Sequence, residues 1–200
     1  MSVTIYCSGS IQKGTSDKSK KLYWTDTERN MLAQAARPLD IRFLNPDDPA
    51  HDLSDTLALF GRDMYQIQFA DFVVVDARER RGIGIGIEMV VAKMFDTPLI
   101  IVSPNDTYYR SGKVDYRGSS VNDYVHPHLY GLADVIVNDF DAAGTWMKRY
   151  MENSTKPKGS EVIFEAINMY KNRMLSHDQP MLEILQALEH MDDERSRKQI

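Results

Sequence analysis

The residues with the clearest chemical potential lie at 82–88, where three glycines alternate with isoleucines and lead to a carboxylate. Gly82, Gly84 and Gly86 have no Cβ, so the backbone can turn tightly and come close to a ligand. A helical pattern begins at about Gly86, and free N–H groups at a helix start favour anions. The pattern predicts Glu88 in the first helical turn, kept ionised by the helix dipole and suited to act as a nucleophile.

A structural alternative fits the same segment, because the glycines could simply close a loop and Glu88 could be an ordinary first-turn residue. The glycine spacing is not that of the dinucleotide fingerprint, and no Lys-Ser/Thr pair follows as in a P-loop.

Two further segments carry weaker signals. Small hydroxyls, amides and one lysine follow the first apolar run and are typical of a phosphate-binding loop. The residues of this loop are Ser8, Gly9, Ser10, Ile11, Gln12, Lys13 and Gly14. Asp63 lies beside the apolar face of a helical pattern, where an aspartate serves either as a catalyst or, more commonly, as an ion-pair partner.

These segments need a scaffold, and the apolar periodicity supplies one. Predicted strands cover Val3–Cys7, Ile41–Leu44, Phe72–Val75, Leu99–Val102 and Asp134–Asn138. Helical patterns lie between them, at about 26–37, 54–70, 86–95 and 141–152. Thr25–Glu28 has the spacing of a capping box at the start of the first. Residues 103–131 form a polar, tyrosine-bearing insertion with one helix near its end. The alternation predicts an α/β fold with a doubly wound, mainly parallel five-stranded sheet of the Rossmann or flavodoxin type.

The domain organisation follows from a change in composition after residue 152. We predict a first domain over 1–152, a polar linker over 153–160 and a helical extension over 161–200. Two helices are expected in the extension, at 161–176 and 181–197. Their apolar positions need a partner surface, either on the first domain or on a second subunit. In the first domain, ligands of such sheets lie outside the carboxyl ends of the strands, so loops 8–14 and 76–86 are expected to share one pocket.

Composition excludes several classes of protein. The 200 residues carry a net charge of -5, which argues against a nucleic-acid binder but not against a small phosphorylated ligand. The one cysteine, Cys7, indicates a reducing compartment. No signal-peptide pattern and no apolar run of about 20 residues is present, so a cytoplasmic location without membrane contact is expected. We expect no metal and no cofactor, since His126 and His128 lack further ligands at convincing spacing.

Taken together, three segments resemble a known family. Ile5–Gly14 resembles the N-terminal signature of the 2′-deoxynucleoside 5′-phosphate N-hydrolases, which belong to the nucleoside 2-deoxyribosyltransferase superfamily. Asp63–Val75 is similar to the helix-to-strand segment of that family, with Asp63 on its active-site aspartate. Gly84–Glu88 matches its Gly-x-Gly-x-Glu element, whose glutamate is the nucleophile. The resemblance covers about residues 3–150, in family order.

The resemblance implies a mechanism and a set of roles. Glu88 would attack the anomeric carbon and form a covalent glycosyl-enzyme, which water would hydrolyse with retention. Asp63 would orient or protonate the departing base, and Tyr6 would hydrogen-bond near the nucleophile and the sugar. The 8–14 loop would hold the 5′-phosphate through its N–H groups and Ser10, helped by Lys13.

Departures from the family pattern add two candidates. Gln12 and Lys13 stand where the hydrolases have an arginine, and Gly82 stands where they have a phosphate-binding serine. Arg81, with Arg80, could supply the lost contacts, or both could be solvated loop arginines. The family completes its site with a polar residue of the neighbouring subunit, which predicts a homodimer or higher homo-oligomer. In this sequence Asn122 or Asp123 falls in the matching region.

The predicted function is hydrolysis of the N-glycosidic bond of a (2′-deoxy)nucleoside 5′-monophosphate, giving free base and sugar 5-phosphate. One alternative is a nucleoside 2-deoxyribosyltransferase that passes the sugar to another base. A second is a non-catalytic nucleotide-binding or sensing module with 161–200 as its output. Residues 10–14 favour the hydrolase, because they resemble a phosphate grip more than a site for a neutral nucleoside.

Overall fold

The computed structural model describes residues 1–11, 22–48, 52–153 and 155–197. The chain divides into two compact units, Met1–Ser160 and Glu161–Ile200. The strands of the first unit are β1 (Ser2–Ser8), β2 (Asp40–Leu44), β3 (Phe72–Asp76), β4 (Leu99–Val102), β5 (Arg110–Tyr116), β6 (Ser119–Val125) and β7 (Val135–Val137). Its helices are α1 (Asp26–Ala35), α2 (Thr56–Phe69), α3 (Ile83–Met94), α4 (Pro127–Leu132) and α5 (Phe140–Asn153).

The central sheet has five strands in the order β2-β1-β3-β4-β7, and every neighbouring pair is parallel. This confirms the predicted doubly wound, flavodoxin-like sheet. All residues of β3 and β4 are buried, as expected for strands covered on both faces, which is why their sequences are apolar without alternation.

Helices cover both faces of this sheet. Helices α1 and α5 pack on one face, in a core that includes Leu32, Phe140 and Met147. Helices α2, α3 and α4 pack on the other, where Ile67, Met89 and Leu129 are buried. Each strand therefore contributes alternate side chains to two separate hydrophobic clusters.

Two helix starts have the expected capping chemistry. The Thr25 side chain accepts a hydrogen bond from the backbone of α1, and the Glu28 side chain accepts from the Thr25 N–H, so the predicted capping box is present. Asp55 caps α2 by accepting from the N–H of Ala58 at 2.9 Å.

One sequence-based expectation was wrong, and one pair of strands was missed. Helix α3 begins at Ile83 and not near Gly86, because Gly82 already provides an extended cap and the buried side chains of Ile85 and Met89 make this turn part of the packed face. The insertion at 103–131 holds an antiparallel hairpin, β5–β6, in addition to its helix. Its turn has positive φ at Arg117 and Gly118, the backbone that a tight two-residue hairpin needs.

The second unit contains α6 (Glu161–Arg173), a short 3₁₀ helix (Leu175–His177) and α7 (Gln179–Arg197). The Tyr170 hydroxyl donates to the Asp178 carboxylate at 2.7 Å, which ties α6 to the start of α7. The segment before this unit is attached to the first unit, since the Lys158 N–H donates to Asp134 at 2.7 Å. Across the described ranges, no helix combines the length and apolar character that a membrane span requires.

Candidate active site

The site is organised by the carboxyl ends of β1 and β3. Ser8, the last residue of β1, pairs with Val75 of β3, so the loops that follow these two strands leave the sheet side by side. Helix α3 begins a few residues after β3 and carries Glu88 back across this edge. The structure thus brings Ser8, at the start of the 8–14 segment, against Glu88 of the 82–88 segment.

Glu88 is the centre of the arrangement. Its side chain is buried, with 6% exposure, and its Oε2 accepts a hydrogen bond of 2.5 Å from the Ser8 hydroxyl, which is fully buried. The charge of Asp63 on α2 and the hydroxyl of Tyr6 on β1 both act on this carboxylate. Residues from three elements therefore converge on one acidic group.

The predicted reason for the charge state of Glu88 was wrong. Because α3 starts at Ile83, Glu88 lies in the second turn, beyond the first-turn reach of the helix dipole. Burial instead raises the pKa of Glu88. The Ser8 and Tyr6 hydroxyls oppose this shift by favouring the charged form, and the Asp63 charge adds to it.

Asp63 is half-buried on α2 beside Arg62, whose guanidinium lies 3.8 Å from its carboxylate. Burial raises the pKa of Asp63, and Arg62 offsets part of the effect. Asp63 therefore holds its proton to a higher pH than an ordinary aspartate, which suits a group that donates a proton.

Tyr6 is fully buried at the sheet edge. Burial, and then the charges of Glu88 and Asp63, raise the pKa of its phenol above the ordinary value, so the hydroxyl stays protonated. The hydroxyl lies close enough to act on the Glu88 charge, yet within the described ranges it makes no hydrogen bond of good geometry.

The first loop is described as far as Ile11. Gly9 is needed because a Cβ there would come within 2.9 Å of the Trp24 ring, whose Nε1 donates to the Ser8 carbonyl at 3.0 Å. The Ser10 hydroxyl accepts a hydrogen bond of 2.6 Å from Arg81. The predicted contacts of Gln12, Lys13 and Gly14 lie outside the described residues.

Arg81 is not a solvated loop arginine. Its side chain is 2% exposed, and its guanidinium pairs with the buried Asp76 at 2.6 Å. It also donates to the Leu22 carbonyl at 2.9 Å and to Ser10. Arg81 therefore ties the loop after β3 to the loop after β1, whereas Arg80 lies over the Tyr108 ring, 5.1 Å from its centroid.

The three glycines lie at the start of α3 and not in a loop. Gly82 is the N-cap, and Gly84 and Gly86 are helical. A Cβ on Gly84 would have a single neighbour within 4 Å, the Glu88 Oε1 at 3.8 Å, and one on Gly86 would have none. The absence of a side chain at Gly84 therefore leaves space beside the buried carboxylate.

Asn122 is not brought to this site within the described chain. It is exposed on β6 and pairs across the hairpin with Lys113. His126 forms an edge contact with Tyr109 and with His128. In the described part of the chain, no three His, Cys, Asp or Glu side chains cluster as a metal ion would require.

Sequence reasoning missed two contributors. It assigned Ser8 to substrate binding and did not foresee its bond to Glu88. It also passed over Asp76, which is fully buried, accepts hydrogen bonds from Arg78 and forms an ion pair with Arg81. An aspartate at a strand end, followed by arginines two and five positions later, was the available signal for this network.

Comparison with known proteins finds similarity in structure but not in sequence. No protein-family model matches the chain, and no curated protein is significantly similar to it in sequence. Among solved structures, a 2-deoxyribosyltransferase from Leishmania mexicana is similar over 76% of this chain and 99% of its own, with a TM-score of 0.50 and 19% identity.

Two other structures are similar at lower TM-scores. A 2-deoxyribosyltransferase from Bacillus psychrosaccharolyticus shares 13% identity over 78% of this chain and 97% of its own, with a TM-score of 0.46. A conserved protein from Enterococcus faecalis shares 16% identity over 74% of this chain and 99% of its own, with a TM-score of 0.48. The chain thus has the α/β fold of the Leishmania mexicana protein, and these two similarities add nothing further.

Proposed function

We propose that this protein is an N-glycosidase of the nucleoside 2-deoxyribosyltransferase superfamily that hydrolyses a (2′-deoxy)nucleoside 5′-monophosphate. Glu88 is the nucleophile. The observation that carries the proposal is the buried Glu88 carboxylate, which accepts from Ser8 at the carboxyl edge of a doubly wound sheet, where such folds bind ligands. Asp63 and Tyr6 lie near enough to act on its charge. The shared fold with a 2-deoxyribosyltransferase supports it.

In the first step, a lone pair of the Glu88 carboxylate forms a bond to the anomeric carbon. The electrons of the carbon–nitrogen bond leave with the base, which takes a proton from Asp63. In the second step, water attacks the same carbon, returns a proton to Asp63 and releases Glu88 and the sugar 5-phosphate. Two displacements give overall retention, as in retaining glycosidases.

Burial raises the pKa of both carboxyls, and they differ in their partners. Glu88 receives the Ser8 hydrogen bond, which favours its charged form against the effect of burial. Asp63 lies 3.8 Å from the Arg62 guanidinium and accepts no hydrogen bond among the described residues. We assign the hydrogen-bonded carboxylate as the nucleophile and the other as the acid.

The 5′-phosphate is held by the loop after β1. Ser10 and the N–H groups of residues 9–14 supply donors, and Lys13 adds a positive charge. Arg81 donates a hydrogen bond to Ser10 in this loop and is itself held by an ion pair with Asp76, so its effect on the phosphate is indirect.

The protein acts as a homodimer in this proposal. Several large apolar side chains on α2 and α3 are more than half exposed, namely Leu57, Tyr65, Phe69, Ile83 and Met94. An apolar surface of this kind on a folded chain favours association. A second copy would cover it, and the neighbour's Asn122 would complete the site.

A base-exchange reaction remains the second candidate, because the structure with a TM-score of 0.50 is named a 2-deoxyribosyltransferase. Both reactions share the first displacement and differ in whether water or a second base attacks. A non-catalytic nucleotide sensor would bind the same ligand without releasing base.

The test is a panel of nucleoside 5′-monophosphates and their nucleosides, each incubated with and without an acceptor base and analysed by chromatography. We expect free base and sugar phosphate from a monophosphate and no base from the matching nucleoside. Glu88→Gln should lower kcat by about 1,000-fold or more. Glu152→Gln, an exposed site on α5, is the control. A new nucleoside would support exchange, and tight binding without turnover would support the sensor.

A further inference from the structure

The two oxygens of the Glu88 carboxylate are not equivalent. Oε2 accepts the Ser8 hydrogen bond at 2.5 Å. Oε1 faces the preceding helical turn, where a Cβ on Gly84 would lie 3.8 Å away with no other atom within 4 Å. Ser8 therefore holds one oxygen, and the other lies beside the position that a side chain at 84 would occupy.

We propose that Ser8 is a positioning residue that holds Oε2 and turns Oε1, in the gap left by Gly84, toward the anomeric carbon. The inference rests on the proposed function insofar as it takes Glu88 to be the nucleophile. The hydrogen bond and its effect on the carboxylate do not depend on which substrate is used.

Ser8 is a rigid donor. Its backbone pairs with Val75 in the sheet, and its carbonyl accepts from the buried Trp24 indole at 3.0 Å. A glutamate carboxylate rotates easily about its last torsion, which has no sharp minima. One fixed, charge-assisted hydrogen bond in a buried site is enough to select a single orientation.

The arrangement also suits the chemistry of two displacements. A donor on Oε2 leaves the lone pairs of Oε1 free for attack. When Oε1 becomes the ester oxygen of the glycosyl-enzyme, Oε2 becomes its carbonyl oxygen and keeps the Ser8 hydrogen bond. In the second step the same donor stabilises the negative charge that returns to the departing carboxylate.

Three groups bear on the titration of Glu88. Ser8 and Tyr6 from β1 favour its charged form, and Asp63 from α2 opposes it. Removal of the Ser8 hydroxyl takes away a contact that favours the anion. The pKa of Glu88 should then rise further, and the proportion of ionised nucleophile at a given pH should fall.

The main experiment compares Ser8→Ala with Ser8→Cys, which keeps a weaker donor of similar size. The Glu88 carboxyl is followed in protein labelled with ¹³C at glutamate side chains, with Glu88→Gln to assign its signal and no substrate present. We expect Ser8→Ala to raise the pKa of Glu88 and to lower kcat about 10- to 100-fold, the effect of losing a hydrogen bond to a charged group. KM should change little, and the acid limb of kcat should move to higher pH. The Glu88 pKa and the kcat of Ser8→Cys should lie between those of the wild type and Ser8→Ala.

Gly84→Ala provides an independent arm if Ser8→Ala does not fold. The added methyl lies at ordinary contact distance from Oε1, so the helix tolerates it, but it fills the approach to that oxygen. We expect kcat to fall at least 10-fold with thermal stability kept. Gly131→Ala on α4, where an added Cβ has no neighbour within 4 Å, is the matched control.

The outcomes separate the two proposals. An unchanged Glu88 titration and unchanged kcat in Ser8→Ala, or full activity in Gly84→Ala, would overturn the role given to Ser8 and Oε1. If the wild-type protein releases no base from any nucleotide, the proposed function is wrong. The NMR titration would then still decide whether Ser8 holds the carboxylate.

Discussion

At the scale of single residues, burial and not the helix dipole sets the behaviour of the candidate nucleophile. Glu88 is 6% exposed and lies in the second turn of α3. Desolvation there disfavours the anion, and it is the largest influence on the pKa of Glu88. The Ser8 and Tyr6 hydroxyls are the groups that stabilise the ionised carboxylate at this position.

Asp63 gives a prediction about pH. The carboxylates of Asp63 and Glu88 interact, so their titrations belong to the pair. In the wild-type protein, activity should rise as Glu88 loses its proton and fall as Asp63 loses its own. In the reactive form Asp63 keeps its proton while Glu88 is ionised, so Asp63→Asn removes no charge at the acid limb. The acid limb of kcat should therefore stay in place, and the alkaline limb should disappear.

The rate of Asp63→Asn should fall by about 100- to 10,000-fold, the usual contribution of a general acid. The measurement is a kcat profile from pH 4 to pH 10, a range of about six units that begins near the ordinary carboxyl values. Asp115→Asn, at an exposed site on β5, is the control. An alkaline limb that persists in Asp63→Asn would show that Asp63 does not donate the proton.

At the scale of secondary-structure elements, the contact between α1 and α5 depends on one glycine. A Cβ on Gly144 would overlap the Leu32 carbonyl and come within 2.9 Å of the Ala35 side chain. Both neighbours belong to α1, and the overlapping atom is backbone, so neither can move without shifting a helix. The two helices approach this closely only because position 144 has no side chain.

Gly144→Ala should therefore destabilise the protein by about 1–3 kcal/mol, the usual cost of overpacking. Gly61→Ala is the matched control, because Gly61 lies inside α2 with no atom within 4 Å of an added Cβ. That variant should stabilise by about 0.5–1 kcal/mol through helix propensity. Urea unfolding of both variants measures the difference. Equal effects of the same sign would contradict the close contact of α1 with α5.

The elements that could be predicted are those whose signal is local or periodic. Apolar runs gave all five parallel strands, and the Thr25–Glu28 spacing gave the start of α1. The start of α3 could not be predicted, because intrinsic glycine preferences point to a loop while the burial of Ile85 and Met89 pulls the segment into the helix. The β5–β6 hairpin was also missed, since its mostly exposed strands lack an apolar face.

The candidate site could be predicted in part for the same reason. Glu88 was singled out from the glycine spacing before a helical pattern, whereas the roles of Asp63 and Tyr6 were expected from the family resemblance. The Ser8–Glu88 hydrogen bond joins residues 80 positions apart. The buried pairing of Arg81 with Asp76 depends on side-chain direction in a loop. Neither leaves a periodic trace in the sequence.

At the scale of the whole molecule, the two faces of the first unit expose different chemistry. Tyr65 and Phe69 lie on α2 with their rings 4.7 Å apart, and they are 62% and 60% exposed. On the opposite face of the sheet, the exposed positions of α5 include Asp141, Thr145 and Arg149. The apolar face of α2 and α3 is the one that a second copy would cover in the proposed homodimer.

The double variant Tyr65→Glu/Phe69→Glu should convert the dimer to a monomer, because it places like charges of both copies at the proposed interface. Light scattering after size-exclusion chromatography should show the mass falling to that of one 22.9 kDa chain. Thr145→Glu, which adds the same charge at an exposed site on α5, should leave the mass unchanged.

If each site is built from both subunits, mixing two inactive variants should restore activity. If Asn122 completes the neighbour's site, Glu88→Gln and Asn122→Ala are each inactive alone but carry complementary defects. When the two are mixed and allowed to exchange, half of the dimers are mixed and each contains one intact site. About a quarter of the wild-type rate should then return, and none should return when the Tyr65→Glu/Phe69→Glu changes are added. A wild-type protein that runs as a monomer with full activity would contradict the proposed dimer, and a dimer without complementation would contradict the role of Asn122.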